Sequence, residues 1–334
     1  MDNAPVSVIV TRAPLRVALG GGGTDLPSHY RRAGGFVVSA AIDKYVHIVT
    51  SVGFRPRYVL KHLEDEEAET PEEIRHPILR AALLRHWNGR PLEIASAADV
   101  PPGTGLGSSG AYTVCILKSL ELAAGRESTP AELAEAASAI EIDELERSVG
   151  KQDQYAAAHG GLRAYTFNRD DSVDVRSLEL SEEVRKAVRD RFLLFYTGKE
   201  RSASDVLSHQ VERTLAGDAE VERNLARTER LARATCGALE EGDLERLGEL
   251  MDEQWEVKRA RAPGAVPDEI EALRGRAKDA GASGVMLVGA GGGGFLLVFS
   301  SQLDETRRAM AEAGAPELPF DVDADGCVGL SPRP

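Results

Sequence analysis

Short β-branched runs dominate the first hundred positions. Residues 6–11, 15–19, 35–42, 45–52 and 57–61 alternate or cluster Val, Ile, Leu and Ala between Gly, Pro and charged residues, which predicts strands, with 91–97 a weaker candidate. Residues 72–87 interrupt them with helical spacing, and the acidic run before them, Glu64 to Glu73, reads as a solvated loop and helix start. From Ser109 the period lengthens. Residues 109–124, 130–147 and 151–158 carry apolar positions at helical spacing, with Thr129-Pro130 as N-cap and first helical residue. Strands are expected at 162–167, 174–178 and 191–197, then a long helical stretch over 202–280 broken at Gly217, Gly242 and Ala262-Pro263-Gly264. Strands at 285–288 and 295–299 flank a glycine cluster, and a helix over 303–313 and a short strand follow. Without regular βαβ alternation the pattern predicts an α+β chain with a seam near 170–192, hence domains at 1–180 and 181–334.

Composition narrows the function classes. The chain has 334 residues, 42% of them apolar, enough for one large core or two modest ones. Its 54 acidic against 40 basic residues give a net charge of −14, which argues against nucleic acid or an anionic membrane as partner. Cys115, Cys236 and Cys327 are widely spaced and lack metal-ligand companions, so neither a disulfide framework nor a zinc site is expected. The first residues lack a basic start and a long apolar stretch, and no run of about 18 apolar residues occurs. These features predict a cytoplasmic protein with no membrane partner and leave a homodimer open.

The glycines carry the chemistry. Three clusters stand out: Gly20 to Gly23 before Thr24-Asp25, Pro101 to Gly110, and Gly289 to Gly294. The second lies between a strand and a strong helix. Its glycines let backbone N–H groups approach a ligand, and the helix start adds unpaired donors and the positive dipole end, which together make an anion site. Ser108 and Ser109 can cap the helix or reach a phosphate-bound Mg²⁺. No Lys follows the glycines, and no acidic residue ends a second strand at the spacing a dinucleotide fold needs.

Three motifs in order resemble those of the GHMP kinase superfamily, which includes galactokinase, homoserine kinase and mevalonate kinase. Pro14-Leu15-Arg16-Val17-Ala18-Leu19 with Gly21 and Thr24-Asp25 resembles the first, Pro101 to Gly110 the second, and Gly289 to Phe295 the third. Arg12 to Pro27, Gly150 to Gly161 and Thr197 to Ala203 are further similar to the branch that phosphorylates D-glycero-D-manno-heptose 7-phosphate. The resemblance implies two domains, a ribosomal-protein-S5-domain-2-like N-terminal one and a ferredoxin-like C-terminal one, with ATP and sugar phosphate between them. It implies 1-phosphorylation of the heptose 7-phosphate. Other members would be a fucose- or galactose-like 1-kinase, an ATP-dependent decarboxylase, or a silent sugar-phosphate binder.

Site roles follow from the same resemblance. Pro102, Gly103, Gly105, Leu106, Gly107, Ser108 and Ser109 would bind ATP; Ser108 or Ser109 with Glu141 would hold Mg²⁺. Asp153 would accept the proton of the anomeric hydroxyl, with Lys151 keeping it charged or touching phosphate. Thr24, Asp25, Gly291 and Gly292 would form the acceptor pocket. Galactokinases carry Glu-His where this chain has Gly22-Gly23, and removing both side chains is expected to open room for a longer sugar. Arg12, Arg16, Lys199 and Arg201 are the expected cations for its phosphate. Gly110 departs from the superfamily's usual Ala, at a cost of about 1 kcal/mol in helix propensity, and predicts a less rigid loop.

Overall fold

The computed structural model describes residues 8–330 apart from 53, 54, 63, 200–202, 262–265, 290 and 292. Among the described residues eleven strands run in chain order: β1 (Val8–Gly20), β2 (Gly35–Val52), β3 (Tyr58–Lys61), β4 (Glu66–Ala68), β5 (Leu92–Ala98), β6 (Leu162–Phe167), β7 (Val173–Ser177), β8 (Phe192–Tyr196), β9 (Ala282–Leu287), β10 (Phe295–Ser300) and β11 (Val328–Gly329). The α-helices among the described residues are α1 (Pro27–Ala33), α2 (Pro77–His86), α3 (Ser108–Ala123), α4 (Pro130–Ala139), α5 (Gln152–His159), α6 (Glu182–Arg191), α7 (Ala203–Leu215), α8 (Ala219–Glu241), α9 (Leu244–Arg261), α10 (Asp268–Asp279) and α11 (Leu303–Glu312).

Two sheets organise them. The larger runs β11-β1-β2-β5-β3-β4, with β6 and β7 attached through the first half of β2; the smaller is β8-β10-β9, antiparallel throughout. Strand β2 is long enough to serve two neighbours, pairing β6 over residues 35–40 and β5 over 46–52. Every residue from Ala13 to Gly20 of β1 is buried, which requires cover on both faces; α3, α5 and α8 all pack on this strand. Helix α3 is buried almost all round from Gly110 to Leu120, as an apolar helix without a polar stripe must be, so its N-terminus is firmly placed. A second apolar cluster, including Leu193, Phe195, Trp255, Ile270, Val285 and Met310, fixes α9, α10 and α11 on the smaller sheet.

Several expectations change. The strands expected at 6–11, of which 6 and 7 lie outside the described residues, and at 15–19 are one strand from Val8, as are those at 35–42 and 45–52, because the sequence between them makes a local irregularity instead of a turn. Register shifts after Pro14, and Asp43 and Lys44 leave the ladder opposite it, which accommodates a proline that has no N–H to give. The acidic run contains β4 and a 3₁₀ turn, Pro71–Glu73, so the helix starts later, at Pro77. The last strand joins the larger sheet, beside β1, although the chain before it belongs to the smaller one. There Asp321 and Asp323 bond the backbone around Ala41 and Asp43. No helix among the described residues is long and apolar enough to cross a membrane.

Candidate active site

A cavity of about 1170 Å³ opens between the two sheets, lined by β1, the turn after it, residues 96–109, the start of α5 and the inner face of α9. The glycine loop forms one wall. Gly103, Gly105 and Gly107 all have positive φ, and Gly107 is the residue from which α3 starts. Arg16 pins this loop to β1: its backbone N–H donates to Leu106 O at 3.0 Å, and its guanidinium donates to Gly105 O. The third glycine cluster lies against the second. A Cβ at Gly289 would stand 2.6 Å from Gly105 Cα, and one at Gly294 2.1 Å from Thr104 O, so both must lack side chains for the loops to meet.

At the head of α3 a buried carboxylate gathers four donors. Glu141, 1% exposed, stands on a single π-helical turn, Ile140–Glu144, that continues α4 after its Thr129/Glu132 capping box. Oε1 accepts from Thr113 (3.0 Å) and Gln154 (2.9 Å); Oε2 accepts from Ser109 (2.5 Å) and Arg147 (3.4 Å). Arg147 also donates to Ser109 Oγ at 3.0 Å. No group of three or more His, Cys, Asp or Glu suited to a metal occurs among the described residues. Mg²⁺ needs only one or two protein oxygens beside phosphate and water, and Glu141 with Ser109 supplies that donor set.

Two carboxylates, Asp153 and Asp25, line the cavity itself. Asp153, in the first turn of α5, accepts at Oδ1 from Arg16 at 2.8 and 2.7 Å. Asp25 is 2% exposed and accepts from the N–H of Gly23 (3.0 Å), the N–H of Gln152 (3.2 Å) and Gln152 Nε2 (3.3 Å). Burial, and then the nearby Asp153 charge, push its carboxyl above the ordinary range, against the pull of those backbone donors. Gly150 makes the approach: a Cβ there would fall 1.9 Å from Asp25 Oδ2.

The expected site residues divide accordingly. Pro102, Gly103, Gly105, Gly107, Ser108, Ser109, Asp153, Asp25, Arg16, Gly22 and Gly23 all line the cavity. Leu106 is wholly buried beneath the loop as its apolar anchor. Lys151 is elsewhere. Its ammonium donates to both oxygens of Glu135 (2.9 and 3.0 Å) and to Asp171 O (2.8 Å), because residues two apart at a helix start point to different sides. Arg16 takes the place expected of it beside Asp153. Thr24 is wholly buried and its hydroxyl bridges Gly21 O and the Phe36 backbone, so it holds the turn.

Of the phosphate cations, Arg12 stacks on Tyr45 and pairs with Asp325, since four strand residues separate it from Arg16 by about 13 Å. Lys199 is half exposed near Glu269 and does not line the cavity, and neither does Gly291. Arg201 and Gly292 lie outside the described residues. Gly22 does leave open space, with only Gln152 Nε2 at 3.9 Å from a built Cβ; at Gly23 that space is filled by Arg261 (2.4 Å) and Gln210 (3.0 Å).

Arg147, Lys258 and Arg261 line the cavity without having been expected. Arg261 donates to Asn224 Oδ1, Gly22 O and Gln210 Oε1 at 2.8, 2.9 and 3.3 Å, and to the Thr228 hydroxyl. Lys258 donates to Leu287 O and to Gly289 O (2.8 Å). In the sequence both read as the basic last turn that complements any helix dipole.

The profile described as "GHMP kinases N terminal domain" matches residues 76–161, and "GHMP kinases C terminal" matches residues 237–316. The D-glycero-alpha-D-manno-heptose 7-phosphate kinase of Campylobacter jejuni is 28% identical over 319 residues, covering 91% of either chain. The bifunctional fucokinase/GDP-fucose pyrophosphorylase of Arabidopsis thaliana is 26% identical over 88% of this chain and 30% of its own. The fold is that of a solved D-glycero-D-manno-heptose 1-phosphate kinase from Bacteroides thetaiotaomicron, with TM-score 0.78, 23% identity and coverage of 97% of this chain and 99% of that one.

Proposed function

The chain belongs to the GHMP kinases, whose N- and C-terminal domains it carries, and from that premise we propose that it transfers the γ-phosphoryl group of ATP to the anomeric hydroxyl of D-glycero-D-manno-heptose 7-phosphate, giving the 1,7-bisphosphate. The observation that carries this reading is the open space at Gly22 beside Asp25, where a galactokinase-like chain would carry a side chain.

The residues divide the work between donor and acceptor. Loop amides from Gly103 to Ser109 and the start of α3 meet the triphosphate, with Arg147 adding a charge at that end. His62, His76, Tyr112 and Ile78 line an apolar end suited to the nucleobase. Glu141 and Ser109 would hold Mg²⁺, which when bound neutralises charge on the β- and γ-phosphates. Asp25, held by three donors, accepts from the sugar's hydroxyls and orients the ring. Arg16 fixes Asp153 through Oδ1, leaving Oδ2 to accept the proton of the attacking hydroxyl. The oxygen then attacks in line, its bond to γ-phosphorus forming as the bridge to ADP breaks. The open space at Gly22 favours a heptose phosphate over fucose or galactose, and two carboxylates beside the glycine loop favour a kinase over a silent binder.

The test is product identification. The full chain with MgATP and a panel of heptose 7-phosphate, free heptose, fucose and galactose is followed by ADP release and ³¹P NMR. A new anomeric phosphate on the heptose 7-phosphate is expected; turnover of fucose or galactose alone overturns the substrate assignment.

A further inference from the structure

Four Arg and Lys side chains line the cavity among the described residues, and three of them are committed to protein partners of their own. Arg16 holds Asp153, Arg147 holds Glu141 and Ser109, and Arg261 spends its donors on Asn224, Gly22, Gln210 and Thr228. Lys258 differs. It donates to two backbone carbonyls, Leu287 O and Gly289 O, which leave one N–H of the ammonium to aim elsewhere. Burial first, and then the positive charges of Arg261 on its own helix and Arg16 on β1, push its amine down to about 7. A cation set against cations in a cavity wall is unfavourable unless an anion completes it.

The anion's position follows from α9. One turn before Lys258, Gln254 Nε2 donates to Leu19 O at 2.9 Å, and one turn after it Arg261 donates to Gly22 O at 2.9 Å. Lys258 lies between these two contacts on α9, its ammonium held on Leu287 O and Gly289 O, where the wall that ends in the Gly20–Gly23 turn meets the Gly105 loop. The donor triphosphate has its own cation and carboxylate at the start of α3. We propose that Lys258 receives the acceptor's own phosphate group and sets the preference for a phosphorylated over a free sugar. This assignment rests on the acceptor being a sugar phosphate.

Calorimetry without nucleotide separates the two claims. Heptose 7-phosphate and unphosphorylated heptose are titrated into the full wild-type chain, Lys258→Met and Lys258→Arg, with melting temperatures as a check on folding. Lys258→Met is expected to lose roughly 10- to 100-fold in affinity for the phosphorylated sugar and nothing for the free one. In turnover its sugar KM rises by a similar factor while the ATP KM stays within about two-fold, and Lys258→Arg restores most of the loss. At pH 8 the wild type takes up a proton on binding the phosphate, as the Lys258 amine charges, and Lys258→Met does not. Unchanged binding of the phosphorylated sugar by Lys258→Met overturns the inference, as does a raised ATP KM with sugar affinity intact. A wild type that neither binds nor turns over heptose 7-phosphate instead removes the proposed function and this assignment with it.

Discussion

Replacing Gly110 by Ala sets two physical effects against each other. Helix propensity alone favours the change by about 1 kcal/mol. Position 110, however, lies where α3 meets α5: a Cβ there would stand 2.6 Å from Asp153 Cβ and 3.1 Å from both Asp153 C and Gln154 N. Carbon atoms need roughly 3.5–4.0 Å, so the helices must part by about 1 Å. The obstacle is close to backbone and cannot swing aside. Helix α5 is itself tied down by Lys151 on Glu135 and by Gln152 on Asp25. Overpacking of this kind costs about 1–3 kcal/mol, which cancels or exceeds the propensity gain. The larger effect falls on chemistry, since Asp153 moves relative to the loop and to Arg16. A 1 Å displacement of a reacting group costs about 10²-fold in rate. Steady-state ADP release should thus show kcat down by about that factor, with a melting temperature equal to or below wild type. A variant with full kcat and a raised melting temperature would refute the reasoning and leave Gly110 as a mere loss of helix propensity.

Three further outcomes are expected. Asp153→Asn should lower kcat by about 10²- to 10⁴-fold with ATP affinity unchanged, measured by turnover and nucleotide titration; retained activity removes Asp153 as base. Glu141→Gln turns an amide N–H₂ toward donors on one side or the other, so the Mg²⁺ concentration for half-maximal rate should rise at least about ten-fold, with about 1–3 kcal/mol lost in urea unfolding; an unshifted Mg²⁺ curve contradicts the site. His76 is pushed down to about 4 by burial, His62 and Arg147, whereas the unfolded imidazole titrates near 6.5. The unfolded chain binds more protons in that window, so stability is full above 6.5 and falls as pH drops toward 4. His76→Asn, which keeps an acceptor for Leu79 N–H, should flatten that acid limb of the melting curve, and an unchanged limb speaks against the burial argument.

What the sequence discloses here is mainly backbone chemistry. The meeting of the first two glycine clusters, Asp25, Glu141 and Asp153 around one site was legible because each sits in a local motif, a positive φ, a helix start or a carboxylate at fixed spacing from it, whereas Gly291 of the third cluster does not line the cavity. The cations were not. Arg147, Lys258 and Arg261 reach the cavity through long side chains whose direction depends on tertiary packing, and their sequence context looks like ordinary helix-end charge. Lys151 misled for the converse reason: two residues from Asp153 along the chain, it leaves the helix start on another side. Mixed α and β elements were readable from periodicity. The joining of 6–11 with 15–19, and the return of the last strand to β1, depend on partners far away in the chain.

That return has a temporal consequence. Arg12 meets Asp325 across 313 residues, and β11 closes on β1 at the same place. At ribosomal rates of about 5–20 residues per second, β1 waits roughly 15–60 s for that neighbour. Helices α8 and α9 emerge late in the same interval, so a nascent chain holds the Gly103–Ser109 loop before it holds the part of the cavity wall that α9 contributes. Expression yield should therefore respond to synonymous pauses, temperature and chaperones through an open strand edge, with the finished enzyme unaffected.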